Sequence, residues 1–192
     1  MENKEILTQL IRTRRSVYPR QMSGGRISDD TVTEMLENAN WAPTHKLTEP
    51  WRFKIYRKEA LNRLVDFQES LFLEKNPGLP ADDKKRLKYA EVKEKVSHIL
   101  AIVVHFEPLA GLPEAEEICA VAAAAQNFWL TVHSYGYGGY WSTGNGTFDP
   151  RMASWMGLKE NERLLGYFYL GIPGEPLQPG RRRPLESKIS WE

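Results

Sequence analysis

Apolar residues along this chain recur in two rhythms, and the alternation of those rhythms predicts its elements. Ile6, Leu7, Leu10 and Ile11 fall on one face of a helix over residues 4–13. Residues 17–27, with Pro19, Gly24 and Gly25, read as a loop. Ser28 is placed to cap a second helix, with Asp29 and Asp30 in its first turn and Pro43 beyond its end near Trp41. Residues 52–57 alternate polar and apolar, as a strand does. Leu61, Leu64, Val65, Gln68 and Leu71 return to helical spacing, ended by Asn76-Pro77-Gly78. Residues 82–97 are dense in Lys and Glu and predict a solvated helix or a mobile lid. Residues 99–104 are continuously apolar, the signature of a strand buried on both faces.

The clearest helix runs from Glu114 to Tyr135. Its apolar face is expected to hold Ile118, Val121, Ala122, Ala125, Phe128, Trp129 and Val132, with Gly136 as the stop. Four successive alanines, Ala122 to Ala125, keep it thin and allow a close backbone approach. A strand over residues 137–143 then runs into Gly144-Asn145-Gly146. Asp149-Pro150 opens a short helix, and residues 163–170 form an aromatic-rich strand. Helices around about four strands give an α+β or three-layer arrangement in one domain spanning 1–192, with an extended tail over about 173–192. Local pattern leaves the strand order open.

Charge and composition narrow the chemistry. Lys and Arg number 26 against 25 Asp and Glu, a net charge of +1 that argues against a nucleic-acid or membrane-surface partner. No apolar stretch approaches the roughly 20 residues of a membrane span. A single cysteine, Cys119, excludes an intramolecular disulfide framework and suits a reducing, cytoplasmic setting. It falls on the long helix and is expected to be buried and inert. His98, His105 and His133 are expected to be structural, and no metal-ligand spacing is present, so no metal is expected. There is no Walker loop and no Gly-x-Gly-x-x-Gly after a strand.

Three segments could carry chemistry. Arg14-Arg15-Ser16 offers two guanidiniums and a hydroxyl that match phosphate oxygens, or else is a solvated basic helix end. Arg181-Arg182-Arg183 is either a charged tail or the completion of that clamp. Trp141-Ser142-Thr143-Gly144 ends a strand in small residues, which would present N–H groups to a flat ligand or simply make a turn.

Taken jointly, these segments resemble the nitroreductase family. The stretches that carry the resemblance are Arg14 to Tyr18, Ala42 to Trp51, Glu114 to Tyr135, Gly138 to Gly146, and Arg181 to Glu186. The resemblance implies a three-layer α/β/α fold with a mainly antiparallel sheet of four to five strands. It implies a homodimer with FMN at the interface, NAD(P)H as cosubstrate and a small nitroaromatic, quinone or similar acceptor. Arg14, Arg15 and Ser16 would hold the phosphate and ribityl chain, helped by Arg181 or Arg183. Trp141, Ser142, Thr143 and Gly144 would lie along the ring system. Trp41 and His45 would also contact the cofactor, His45 from the opposite subunit. Two positions depart from the family pattern: Tyr18 stands where a cation is common, and Leu47 where an asparagine is. They keep open an alternative, an FMN-binding protein with little turnover.

Overall fold

The apolar run at residues 99–104 is the heart of β2, His98–His105, in the interior of a four-stranded sheet. This is a computed structural model, and it describes residues 2–144 and 146–192; Met1, and Asn145 of the expected Gly144-Asn145-Gly146 loop, lie outside them. β1 (Trp51–Arg57) flanks β2 on one side and β4 (Glu162–Gly171) on the other, with β3 (Gly138–Ser142) beyond β4. Every pairing in the order β1-β2-β4-β3 is antiparallel.

Because side chains alternate along a strand, β2 feeds two cores. Ile99, Ala101 and Val103 join α3 (Lys58–Glu74), α4 (Lys84–Lys95) and α6 (Pro150–Trp155). Leu100, Ile102 and Val104 join α2 (Asp29–Asn40) and α5 (Glu114–Ser134). The result is the three-layer α/β/α arrangement. The predicted caps hold: Ser28 Oγ accepts from the Thr31 N–H at 3.2 Å, and Asp149 Oδ1 from the Arg151 N–H at 3.1 Å. Residues 84–95 are helical, with Tyr89 and Val92 buried as one seam. The first helix, α1 (Asn3–Thr13), packs against α5 yet buries none of its residues.

Two expectations for α5 need correction. Cys119 is exposed, and Ile118, Ala122 and Trp129 are only partly covered. Val121, Ala125, Phe128 and Val132 of the expected face are buried, and Glu117, Ala120, Ala124 and Thr131 complete the buried stripe. A helix apolar on nearly every side gives little phase information, and buried Glu117 finds a partner in the Glu107 N–H at 3.3 Å.

One irregularity shapes the functional edge. The β2–β4 register slips between Ile102 opposite Gly166 and Val103 opposite Leu164, so Leu165 has no partner on β2. Its carbonyl accepts from Trp141 Nε1 at 3.2 Å. Gly166 adopts φ 141°, and a Cβ there would sit 2.4 Å from that nitrogen. Only glycine fits.

Candidate functional site

The chain leaves α1 at Arg14 in extended conformation and runs beside β3, where Ser16 bridges Gly139 and the Val17 N–H donates to the Gly139 carbonyl at 3.1 Å. The approach is too close for side chains on β3: a Cβ at Gly138 would meet Val17 Cγ2 at 2.5 Å. This run and the tail enclose a cleft of about 310 Å³ lined by Arg14, Arg15, Ser16, Gln21, Gln178 and Arg182, among others.

Within it the two arginines differ. Arg14 lies over the Trp129 ring at 4.1 Å, and its Nη1 is buried without a hydrogen-bond partner among the described residues. Burial, then the charges of Arg182 and Arg15, lower its proton affinity. An anion here would relieve all three effects. Arg15 is instead a strap: its guanidinium donates to the carbonyls of Gln178 at 3.1 Å and of Arg12 and Arg14 at 2.7 Å. The tail arginine in this cleft is Arg182. Arg181 and Arg183, expected there, are exposed and not part of its lining.

The segment continues into a second cleft of about 580 Å³. Tyr18 packs on Tyr140 with ring centroids 4.8 Å apart, and Tyr140 stacks on Tyr169 at 5.1 Å. Arg20, Ser142 and, from α4, Lys85, Lys88 and Tyr89 complete most of the wall. Burial and the neighbouring Tyr18 push Tyr140 up to about 12, so its phenol stays neutral. Trp141 faces the opposite side of β3, packed into the α2/α5 core. Ser142 Oγ accepts from the Gly144 N–H at 3.3 Å, and the Gly144 carbonyl accepts from Thr147 Oγ1 at 2.6 Å, fixing a turn in which Thr143 and Gly144 are exposed.

The remaining predicted residues are elsewhere. Trp41 is 82% exposed at the end of α2. His45 Nδ1 lies 2.7 Å from Glu116 Oε2 at the start of α5, and Lys46 Nζ donates to the Ala110 carbonyl at 2.6 Å. Three residues of this loop, Lys46, Leu47 and Glu49, hold positive φ of 51°, 54° and 43°. Such strain persists only where the surroundings enforce it. The loop leads into β1, at the sheet edge opposite β3. Three strand spacings, about 14 Å, separate those edges.

Residues 11–172 match the profile of the Nitroreductase family. The chain belongs to the nitroreductase family. A Bacillus subtilis protein provisionally named NAD(P)H nitroreductase YfhC is 26% identical over 96% of this chain and 93% of its own. The crystal structure of a nitroreductase-like family protein from Bacillus cereus superposes with a TM-score of 0.81 at 26% identity, over 97% of this chain and 95% of that one. A nitroreductase-type structure from Desulfovibrio desulfuricans, in complex with FMN, gives a TM-score of 0.75 at 22% identity over 100% and 98%.

For this nitroreductase-family chain, sequence reasoning named Arg182 only within the Arg181-Arg182-Arg183 cluster and passed over Tyr140, Lys85 and Lys88. Tyr140 was within reach: in a strand it must share a face with Ser142 and oppose Trp141. The α4 lysines carried no local signal separating them from the other charges of residues 82–97. Among the described residues no helix is long and apolar enough to cross a membrane.

Proposed function

We propose that this chain is one FMN-binding domain that works as a homodimeric oxidoreductase, passing hydride from NAD(P)H through FMN to a nitroaromatic, quinone or similar acceptor in a ping-pong cycle. The observation that carries this reading is Arg14, which lines a cleft shared with Ser16 and Arg182 while its buried Nη1 has no hydrogen-bond partner among the described residues. An orphaned buried donor is costly, and a phosphate oxygen is the acceptor that a guanidinium fits. Support also comes from the FMN complex of the Desulfovibrio neighbour and the NAD(P)H nitroreductase name of the Bacillus relative.

In this reading Arg14, Ser16 and Arg182 bind the phosphate, and Arg15 holds the tail that presents Arg182. Tyr18, Tyr140, Ser142, Thr143 and Gly144 line the ring system and exclude water from one side. Trp41 of the partner subunit and His45 of the partner subunit close the other side, because within one chain they lie at the far edge of the sheet. The decisive experiment is the absorption spectrum of the purified protein, followed by anaerobic titration with NADH and NADPH. A yellow protein with about one FMN per chain, bleached by either dinucleotide and recoloured by an acceptor, is expected. Protein that takes up no FMN overturns the reading; FMN that is bound but never reduced leaves only a flavin-binding role.

A further inference from the structure

The larger cleft carries a charge pattern that flavin binding leaves unused. Lys85, Lys88, Tyr89 and Val92 share one side of α4, since positions three, four and seven apart on a helix do. Tyr89 and Val92 pack inward, and the two lysines stand on the same side at the wall of the cleft that Tyr18 and Tyr140 also line. Other cations of α4 have partners on α3: Lys93 pairs with Asp66, and Arg86 with Glu69. Among the described residues Lys85, Lys88 and Arg20 make no ion pair. Glu91 is the one carboxylate in the lining against these three cations. Tyrosine rings and positive charge without an ion-pair partner therefore line one cleft.

We propose that this cleft selects ligands that join a planar ring to an anionic group, the ring entering the cleft beside the flavin ring that Tyr18 and Tyr140 would line, and the anion held by Lys85 and Lys88. Two sources offer that chemistry: an aromatic acceptor bearing a carboxylate, or the additional phosphate of NADPH. The naming of these ligands rests on the oxidoreductase reading; the charge selectivity does not.

The test compares the protein as purified with its Lys85→Gln/Lys88→Gln variant; both lysines are exposed, so the exchange leaves the core untouched. Calorimetric binding of 4-nitrobenzoate is set against neutral 4-nitrobenzyl alcohol, and of NADPH against NADH, with kcat/KM for the same pairs. In wild type one anionic member should bind about tenfold more tightly than its counterpart, the size expected of two solvent-screened charge contacts. That ratio should fall toward unity in the variant and in high salt. Collapse of the nitrobenzoate ratio assigns the site to the acceptor, and collapse of the NADPH ratio assigns it to the dinucleotide. Equal affinity within both pairs, or ratios unchanged in the variant, overturns the proposal. Absence of FMN or of NAD(P)H oxidation defeats the oxidoreductase reading instead, and the binding arms still decide the charge selectivity.

Discussion

The Arg14 guanidinium carbon lies 4.1 Å from the Trp129 ring centroid, an attraction that holds the cation in the wall of the phosphate cleft. Arg14→Gln should weaken FMN binding by about 1.5–3 kcal/mol, roughly 10- to 100-fold, while riboflavin binding changes little. Flavin fluorescence quenching measures both; equal weakening of the two would mean that Arg14 matters for packing rather than for phosphate. Tyr18 raises a second question at this scale. A phenol occupies the position where a cation was expected, but Arg20 lines the same cleft two residues on. A cation beside a reduced, anionic flavin stabilises it. Arg20→Gln should therefore lower the flavin reduction potential and Tyr18→Arg raise it, by about 30 mV for each 1.4 kcal/mol. Potentiometric titration of the two variants decides between these residues, and no shift in either would place the ring's polar edge away from both.

Elements were legible wherever their signal was local. Ser28 and Asp149 announced the starts of α2 and α6, and the apolar run of β2 announced a strand buried on both faces. Nothing local could announce the strand order, which depends on pairings between distant segments. The bulge at Leu165 and Gly166 was equally silent, because a glycine in a strand looks alike whether it bends the strand or merely weakens it. Gly166→Ala should lower stability by at least about 1–3 kcal/mol, or roughly 2–10 °C in melting temperature, from the positive φ alone. Thermal unfolding and the near-ultraviolet signal of Trp141 would report it, and an unchanged melt would refute the tight fit. His98 ties β2 to α2, with Ser97 Oγ at 3.0 Å and Asp29 Oδ1 at 3.1 Å, and Arg57 and Arg26 also near. Burial is the largest influence on it and lowers its pKa despite Asp29. The unfolded chain, with His near 6.5, then binds more protons than the folded one in the window just below that value. Stability should fall as pH drops through about 6.5. Denaturant midpoints across that range should flatten in His98→Gln, and an identical slope in the variant would assign the effect to other groups.

At the scale of the whole molecule, the proposed reading divides the candidate site between two chains. The phosphate cleft and β3 occupy one sheet edge, and the Trp41–His45 loop the other. The apolar surface is equally unfinished. Ile6, Leu7 and Ile11 of α1 are 42%, 55% and 51% exposed, and Trp41 and Leu47 are exposed at 82% and 81%. An amphipathic helix that buries nothing has no folding reason to keep an apolar stripe, and a second copy of the chain would supply one. Sedimentation at micromolar concentration should therefore give twice the 22.1 kDa chain mass. Leu7→Glu/Ile11→Glu places two charges on that stripe, at positions exposed in the isolated fold, so the chain should stay folded by circular dichroism and become a monomer. It should also lose FMN, since the partner's Trp41 and the partner's His45 would no longer close the ring site. The two losses separate two claims. A variant that remains a dimer removes α1 from the interface, whereas a monomer that retains full FMN affinity removes Trp41 and His45 from the site and leaves the β3 edge to bind the cofactor alone.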